Sequence, residues 1–152
     1  MYIGRMNLFA YGTLIDPEIV RQVAGEVPRH VHATLLDHER KMVRGKPYPG
    51  IREQPGGSVR GLLYFDVSAS AWLRLDRFEG EMYARQAVSV LADGGMRLPA
   101  WTYLVAPAFL HELSDEDWSF EEFLRVGKAM FRGEYGGFHN LCPDLRPDLR
   151  RS

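Results

Sequence analysis

Glu79 ends the stretch 71–79, AWLRLDRFE, in a position that suggests chemistry. At about 100° per residue, Ala71, Trp72, Leu75 and Phe78 fall on one arc of a helix, and Arg74 and Arg77 fall on the opposite side. Glu79 lands inside the apolar arc, between Leu75 and Trp72. A carboxylate that faces a core or a cavity without a partner has its pKa raised by desolvation. That suits a group which must take and return a proton near neutral pH. The competing reading is that Glu79 sits in a fraying last turn and its side chain escapes to water, since carboxylates are seldom buried unpaired. Glu81, beyond Gly80, lacks this placement and ranks well behind.

The elements that would position this glutamate can be read around it. Residues 6–11, MNLFAY, form a short buried strand ending at Gly12. Asp16-Pro17-Glu18 opens a helix, with an acceptor at the N-cap, proline at the first helical position and an acid in the first turn. That helix carries Ile19, Val20 and Val23 and stops at Gly25. Residues 31–44 are extended; Pro47, Pro49 and Gly50 break them, and Gln54-Pro55-Gly56-Gly57 marks another turn. A strand is expected over 59–67, a helix from about Ser70 to Glu79, and strands over 83–91 and 97–105 around the hairpin signal Asp93-Gly94-Gly95. The last helix is expected near 118–132, with Phe120, Phe123, Leu124, Gly127, Met130 and Phe131 at helical spacing and Gly133 just past its end. The tail after Gly137 holds two copies of Pro-Asp-Leu-Arg, at 143–146 and 147–150, too few for a solenoid. It is expected to be loosely ordered or to dock on the body or a neighbour. Strands and helices mix without regular alternation, which favours an α+β domain over a doubly wound sheet. The domain is assigned to 1–138 and a C-terminal tail to 139–152.

Composition narrows the function classes. The chain has 152 residues, 45% hydrophobic and 26% charged, which is ordinary for one globular domain. A formal net charge of −1 points to neither nucleic acid nor an anionic membrane as partner. The single cysteine, Cys142, excludes an internal disulfide and a cysteine-rich zinc site. No apolar run approaches the roughly 20 residues needed to cross a bilayer, and the N-terminus is glycine-broken too early for a convincing signal peptide. The chain is therefore read as cytoplasmic. His30 and His32, followed by His38 and Glu39, have only the loose spacing that chance supplies, so no metal is expected. His139 and Cys142 form a conceivable nucleophilic pair but lie in a glycine- and proline-rich tail. Gly133-Glu134-Tyr135-Gly136-Gly137 lacks the lysine of a phosphate-binding loop.

Two segments taken together carry a resemblance. Residues 8–14, LFAYGTL, followed by Asp16-Pro17, and residues 75–85, LDRFEGEMYAR, resemble in order and separation the two signatures of the γ-glutamylcyclotransferase-like (AIG2-like) family. Tyr48-Pro49-Gly50-Ile51, Val59-Arg60-Gly61-Leu62-Leu63-Tyr64 and Ala100-Trp101-Thr102-Tyr103 match in type and order, so the resemblance spans roughly residues 6–106. It implies a small mixed β-barrel flanked by helices. It also implies an enzyme, without metal or cofactor, that cleaves a small γ-glutamyl amide and releases 5-oxoproline and an amine or amino acid. By the same resemblance Glu79 is the catalytic acid/base, and Tyr11, Gly12, Thr13 and Leu14 form the loop whose backbone amides hold the substrate. Tyr83 and Tyr103 are further candidates for the pocket wall, with packing and a satisfied hydroxyl as their alternative. The chemistry suits such residues, because the α-amino group of the substrate is itself the nucleophile. The protein has only to fold the substrate, move protons and offer donors to the oxyanion. The leaving group is expected against the loops near 44–58 and the C-terminal segment. The alternative function is a non-catalytic module on the same fold, binding a small amino-acid-like ligand or another protein.

Overall fold

The structure is a computed structural model and describes residues 6–144. The second Pro-Asp-Leu-Arg copy, the end of the first, and the side chain of Cys142 lie outside what it describes.

Five strands are formed: β1 (Leu8–Ala10), β2 (His30–Met42), β3 (Pro49–Tyr64), β4 (Tyr83–Ala92) and β5 (Arg97–Val105). They close into a barrel in the order β1-β3-β2-β4-β5. All pairings are antiparallel except β1 with β5, where Leu8 lies opposite Trp101 in parallel, so the barrel is mixed. Helix α1 (Pro17–Ala24) lies between β1 and β2, and α2 (Ala69–Glu79) lies between β3 and β4. A third helix, α3, spans residues 120–134. The expected α+β barrel with flanking helices is the fold observed.

Period-two alternation along β1 explains why its three residues are all buried. Leu8 and Ala10 face a layer of helix residues that includes Ile19, Leu75, Phe78 and Phe131. Phe9 and, one step on, Tyr11 face the barrel interior with Ala33, Ile51, Leu63 and Val90. β1 is thus the wall shared by both cores, and the turn after it is held from both sides.

Local chemistry set most boundaries. Asp16 Oδ1 accepts from the Glu18 N–H at 2.8 Å, Pro17 opens α1, and Gly25 closes it at φ +92°. Ser68 caps α2 by accepting from the Ala71 N–H. The β4–β5 hairpin turns on Gly94 and Gly95, both at positive φ.

Three expectations are corrected. Gln54-Pro55-Gly56-Gly57 does not reverse the chain. It loops out opposite Asp37, whose Oδ1 accepts from the Gly56 N–H at 3.0 Å, and β3 resumes its pairing with β2. The strand placed at 59–67 therefore runs from Pro49 to Tyr64, and the chain reversal lies at 43–48 instead. α3 passes through Gly133 and ends at Glu134. Within α3 the stretch Phe123–Gly127 is π-helical; this wider turn brings Phe123 and Phe131 onto the buried face and leaves Leu124 and Met130 exposed.

Gly61 lies where β1 crosses β3, and a β-carbon there would sit 2.3 Å from the Ala10 carbonyl oxygen. Neither backbone can yield without opening the barrel. Gly61→Ala is expected to destabilise the protein by roughly 1–3 kcal/mol, read as a lower urea midpoint with an unchanged m-value.

Candidate active site

The apolar arc read from 71–79 is the buried face of α2: Ala71, Trp72, Leu75 and Phe78 are all buried. On the opposite face Arg77 is exposed, but Arg74 is half-buried. Its guanidinium donates to the carbonyls of Val23 and Ala24 at 2.9 and 2.6 Å, capping the C-terminus of α1.

Glu79, the last residue of α2, borders two connected cavities. The inner one, about 40 Å³, is closed by β1 and the turn that follows it, with Tyr11, Gly12, Thr13 and Leu14 on one side and Tyr83 and Tyr103 on another. The outer one is wider, about 380 Å³, and is lined by the 45–48 segment, by residues 80–82 and by the chain around 134–140. The structure therefore brings Tyr11, Gly12, Thr13, Leu14, Glu79, Tyr83 and Tyr103 together at the inner cavity, while part of each segment expected to meet a leaving group lines the outer one. The arginines near the 44–58 loops stay outside the inner cavity. Arg52 pairs with Glu39 at 2.7 Å, and Arg60 makes a bidentate pair with Asp93.

No hydrogen bond or ion pair to the Glu79 carboxylate forms among the described residues. Burial, reinforced by the neighbouring charge of Asp76, pushes its pKa up to about 8. Tyrosines surround it. Their own pKa values are raised by burial and, in addition, by the Glu79 charge for Tyr11, Tyr48, Tyr83, Tyr103 and Tyr135. Four of these hydroxyl protons are already committed. Tyr11 donates to the Tyr103 carbonyl at 2.6 Å, Tyr83 to the Pro49 carbonyl at 2.7 Å, Tyr103 to Asp76 Oδ1 at 2.6 Å, and Tyr135 to the Phe78 carbonyl at 2.7 Å. Each of these oxygens keeps only acceptor capacity. Such surroundings disfavour an anion and favour a protonated carboxyl or a ligand's cationic donor. The Tyr48 hydroxyl has no partner among the described residues, and Tyr48 lines both cavities.

The turn across the inner cavity supplies donors. Its internal bonds begin at Ile15 N–H to Gly12 O and Asp16 N–H to Thr13 O, at 3.0 and 3.1 Å. The N–H groups of Gly12, Thr13 and Leu14 precede them and have no partner within the turn. Gly12 is needed for packing: a β-carbon there would meet the Pro49 ring at 2.9 Å. Pro49 is in turn fixed by Tyr83, so the turn, the 48–50 segment and β4 lock together around the cavity.

Tyr48, Phe78, Phe131 and Tyr135 also line the inner cavity and were not among the candidates. Tyr48 sits in a segment that matched in type and order, so a signal for it existed. Tyr135 lies in the run 133–137, which fails as a phosphate loop, and the nearby glycines on both sides of this aromatic residue are its one local sign.

Comparison with known proteins agrees with this geometry. Residues 8–120 match the family described as gamma-glutamyl cyclotransferase, AIG2-like, and the chain belongs to that family. AIG2-like protein C of Arabidopsis thaliana is 34% identical over 126 residues, covering 82% of this chain and 73% of that protein. A solution structure of an Arabidopsis thaliana protein superposes with a TM-score of 0.65 at 27% identity, over 86% of this chain and 88% of that one. A structure titled gamma-glutamyl cyclotransferase shares the fold, with a TM-score of 0.60 at 23% identity over 66% of each chain.

The raised pKa has a thermodynamic sign. Between about pH 4.5 and pH 8 the folded protein holds a proton on Glu79 that the unfolded chain has released, so this group lowers stability as pH rises through that window. Glu79→Gln, which carries no charge at any pH, is expected to gain stability relative to wild type from pH 5 to pH 9 by on the order of 3 kcal/mol. Denaturant midpoints measured across that range check this, and a carboxyl-carbon NMR titration should find the Glu79 midpoint near 8.

Proposed function

We propose that the protein cyclises a small γ-glutamyl amide and releases 5-oxoproline and an amine or amino acid. The observation that carries this reading is one partly buried carboxylate, Glu79, unpaired among the described residues, which lines both a narrow cavity and a wide one and shares the narrow one with a turn whose first three N–H groups have no partner within the turn. In the proposed reaction the glutamyl head occupies the inner cavity, held by the N–H groups of Gly12, Thr13 and Leu14. The Glu79 carboxylate takes a proton from the α-ammonium group. The freed nitrogen attacks the γ-carbonyl carbon, and the carbonyl becomes an oxyanion that needs donors. The Tyr48 hydroxyl, uncommitted among the described residues, is a side-chain donor available for it. Collapse re-forms the carbonyl and breaks the bond to the leaving nitrogen. That nitrogen receives the proton from Glu79, the attacking nitrogen passes its second surplus proton through the same carboxylate, and the amine departs with it as an ammonium through the outer cavity. A single carboxyl with a pKa near 8 can accept and return the proton at little cost around neutral pH. The close walls of the inner cavity favour a folded substrate, the main advantage of an intramolecular reaction.

Release of 5-oxoproline from a panel of γ-glutamyl amino acids, γ-glutamyl amines and ε-(γ-glutamyl)lysine tests this. Wild type is expected to turn over at least one member, with kcat/KM rising to a plateau above about pH 8. Glu79→Gln is expected to lose roughly 10²–10⁴-fold in kcat. Folded wild type that binds a panel member yet releases nothing would point instead to a binding module.

If Tyr48 donates to the oxyanion, Tyr48→Phe should lower kcat by about 10²-fold while leaving KM and the melting temperature nearly unchanged. An unaltered kcat would remove Tyr48 from the mechanism.

A further inference from the structure

The family match ends at residue 120, yet the cavity walls do not. Phe131 and Tyr135 line the inner cavity, and Glu134, Gly136, Gly137 and Asn140 line the outer one. The last turn of α2, which carries Glu79, has a helix's usual defect: its final carbonyls have no N–H of their own helix to accept from. Gly80 N–H reaches back to Asp76 O at 3.2 Å, and the next three carbonyls, of Arg77, Phe78 and Glu79, lie beyond that bond. All three are met by the segment after α3. Asn140 Nδ2 donates to Arg77 O at 2.8 Å, and the Tyr135 hydroxyl lies 2.7 Å from Phe78 O and 3.1 Å from Glu79 O.

The fit of this segment is close. A β-carbon on Gly137 would lie 2.1 Å from Phe78 O and 2.2 Å from the Tyr135 ring, so the chain passes directly over the end of α2. Leu141 is buried, and Tyr135 and Phe138 pack on Phe78 with ring centroids 5.0 and 5.1 Å away. α3 is tied down upstream as well. The Lys128 ammonium lies 2.7 Å from the buried Asp16 Oδ2, and Lys128 also pairs with Glu18, both at the start of α1. The strap therefore crosses from the α1 side of the molecule to the end of α2.

We infer that residues 135–141 are a positioning strap, outside the family-matched region, that caps the C-terminus of α2 and holds Glu79 at the junction of the two cavities. Tyr135 and Asn140 are positioning residues: they act on Glu79 through the main chain of its helix and take no part in proton transfer. The catalytic consequence rests on the function proposed above, whereas the capping itself does not.

Two mild variants test it, Tyr135→Phe, which keeps the ring and removes only the donor, and Asn140→Ala. Amide hydrogen exchange at residues 77–80 of the full-length protein is read first. Each variant should speed exchange there by roughly three- to tenfold, while the β4–β5 amides stay as in wild type. On a panel member that wild type turns over, each variant should lower kcat by a similar factor and leave KM within about twofold, and the double variant should fall further than either. Exchange at 77–80 equal to wild type in both variants overturns the strap, whatever the activity. Faster exchange with kcat unchanged also overturns it, because the capped turn then has no bearing on Glu79. Faster exchange in a protein whose wild type releases no 5-oxoproline supports the capping and counts against the reaction instead.

Discussion

A carboxylate kept from water needs an environment that neither neutralises it nor lets it escape, and the architecture around Glu79 follows from that need. An arginine or lysine beside it would lower its pKa and lock it as an anion. Hydroxyls free to donate would do the same more gently. Four of the five tyrosines around Glu79 are instead turned to other duties, with Tyr11, Tyr83, Tyr103 and Tyr135 each giving their one proton to a main-chain carbonyl or to Asp76. They fill space, exclude water and leave the carboxyl near neutrality. The negative charge of Asp76, one turn earlier on α2, pushes in the same direction. Asp76 does not collapse onto Glu79, because the Tyr103 hydroxyl and Arg85, 3.2 Å away, hold it.

Rigid supports make this arrangement possible. β1 is buried on both faces and delivers the Tyr11–Leu14 turn to a fixed place. Close backbone approaches lock the neighbouring segments: Gly12 against Pro49, and Gly50 against Val105, where a β-carbon would lie 2.3 Å from a side-chain carbon. α2 enters with a serine cap, buries its apolar arc and donates Arg74 to the end of α1. The inner cavity is narrow because aromatic rings crowd it. The outer one is wide because it is bounded by loops and a helix end. Such a division suits a molecule with one invariant part and one variable part.

The inner cavity is lined by one carboxyl, by four tyrosine hydroxyls that already donate, by the uncommitted hydroxyls of Tyr48 and Thr13 and by main-chain N–H groups, with no serine–histidine or cysteine–histidine pair among the described residues. A substrate that supplies its own amine asks for little more than this: a proton carrier, donors and a shape.

Much of this was legible in order along the chain. The amphipathic arc of 71–79 placed Glu79 on the buried side because a helix turns by a constant angle, and period and caps are local properties. Asp16-Pro17-Glu18, Gly25 and Asp93-Gly94-Gly95 marked their elements for the same reason. Paired signatures in sequence implied the barrel and the turn at Tyr11–Leu14. Features that depend on what lies across space were not legible. The 54–57 stretch has turn chemistry, yet it becomes a bulge because β2 continues on the other side and Asp37 is there to accept from it. Arg74 looks solvent-facing on a helical wheel until the open end of α1 arrives beside it. Beyond the glycines flanking Tyr135, neither Tyr135 nor Asn140 carries a local signature of a role at the site, because their partners are carbonyls at least 56 residues away in sequence. Sequence alone determined most of the elements and the candidate acid. Only the tertiary structure decided which hydroxyl protons were already committed, and therefore how the acid behaves, because a hydrogen bond is settled by where its partner lies in space.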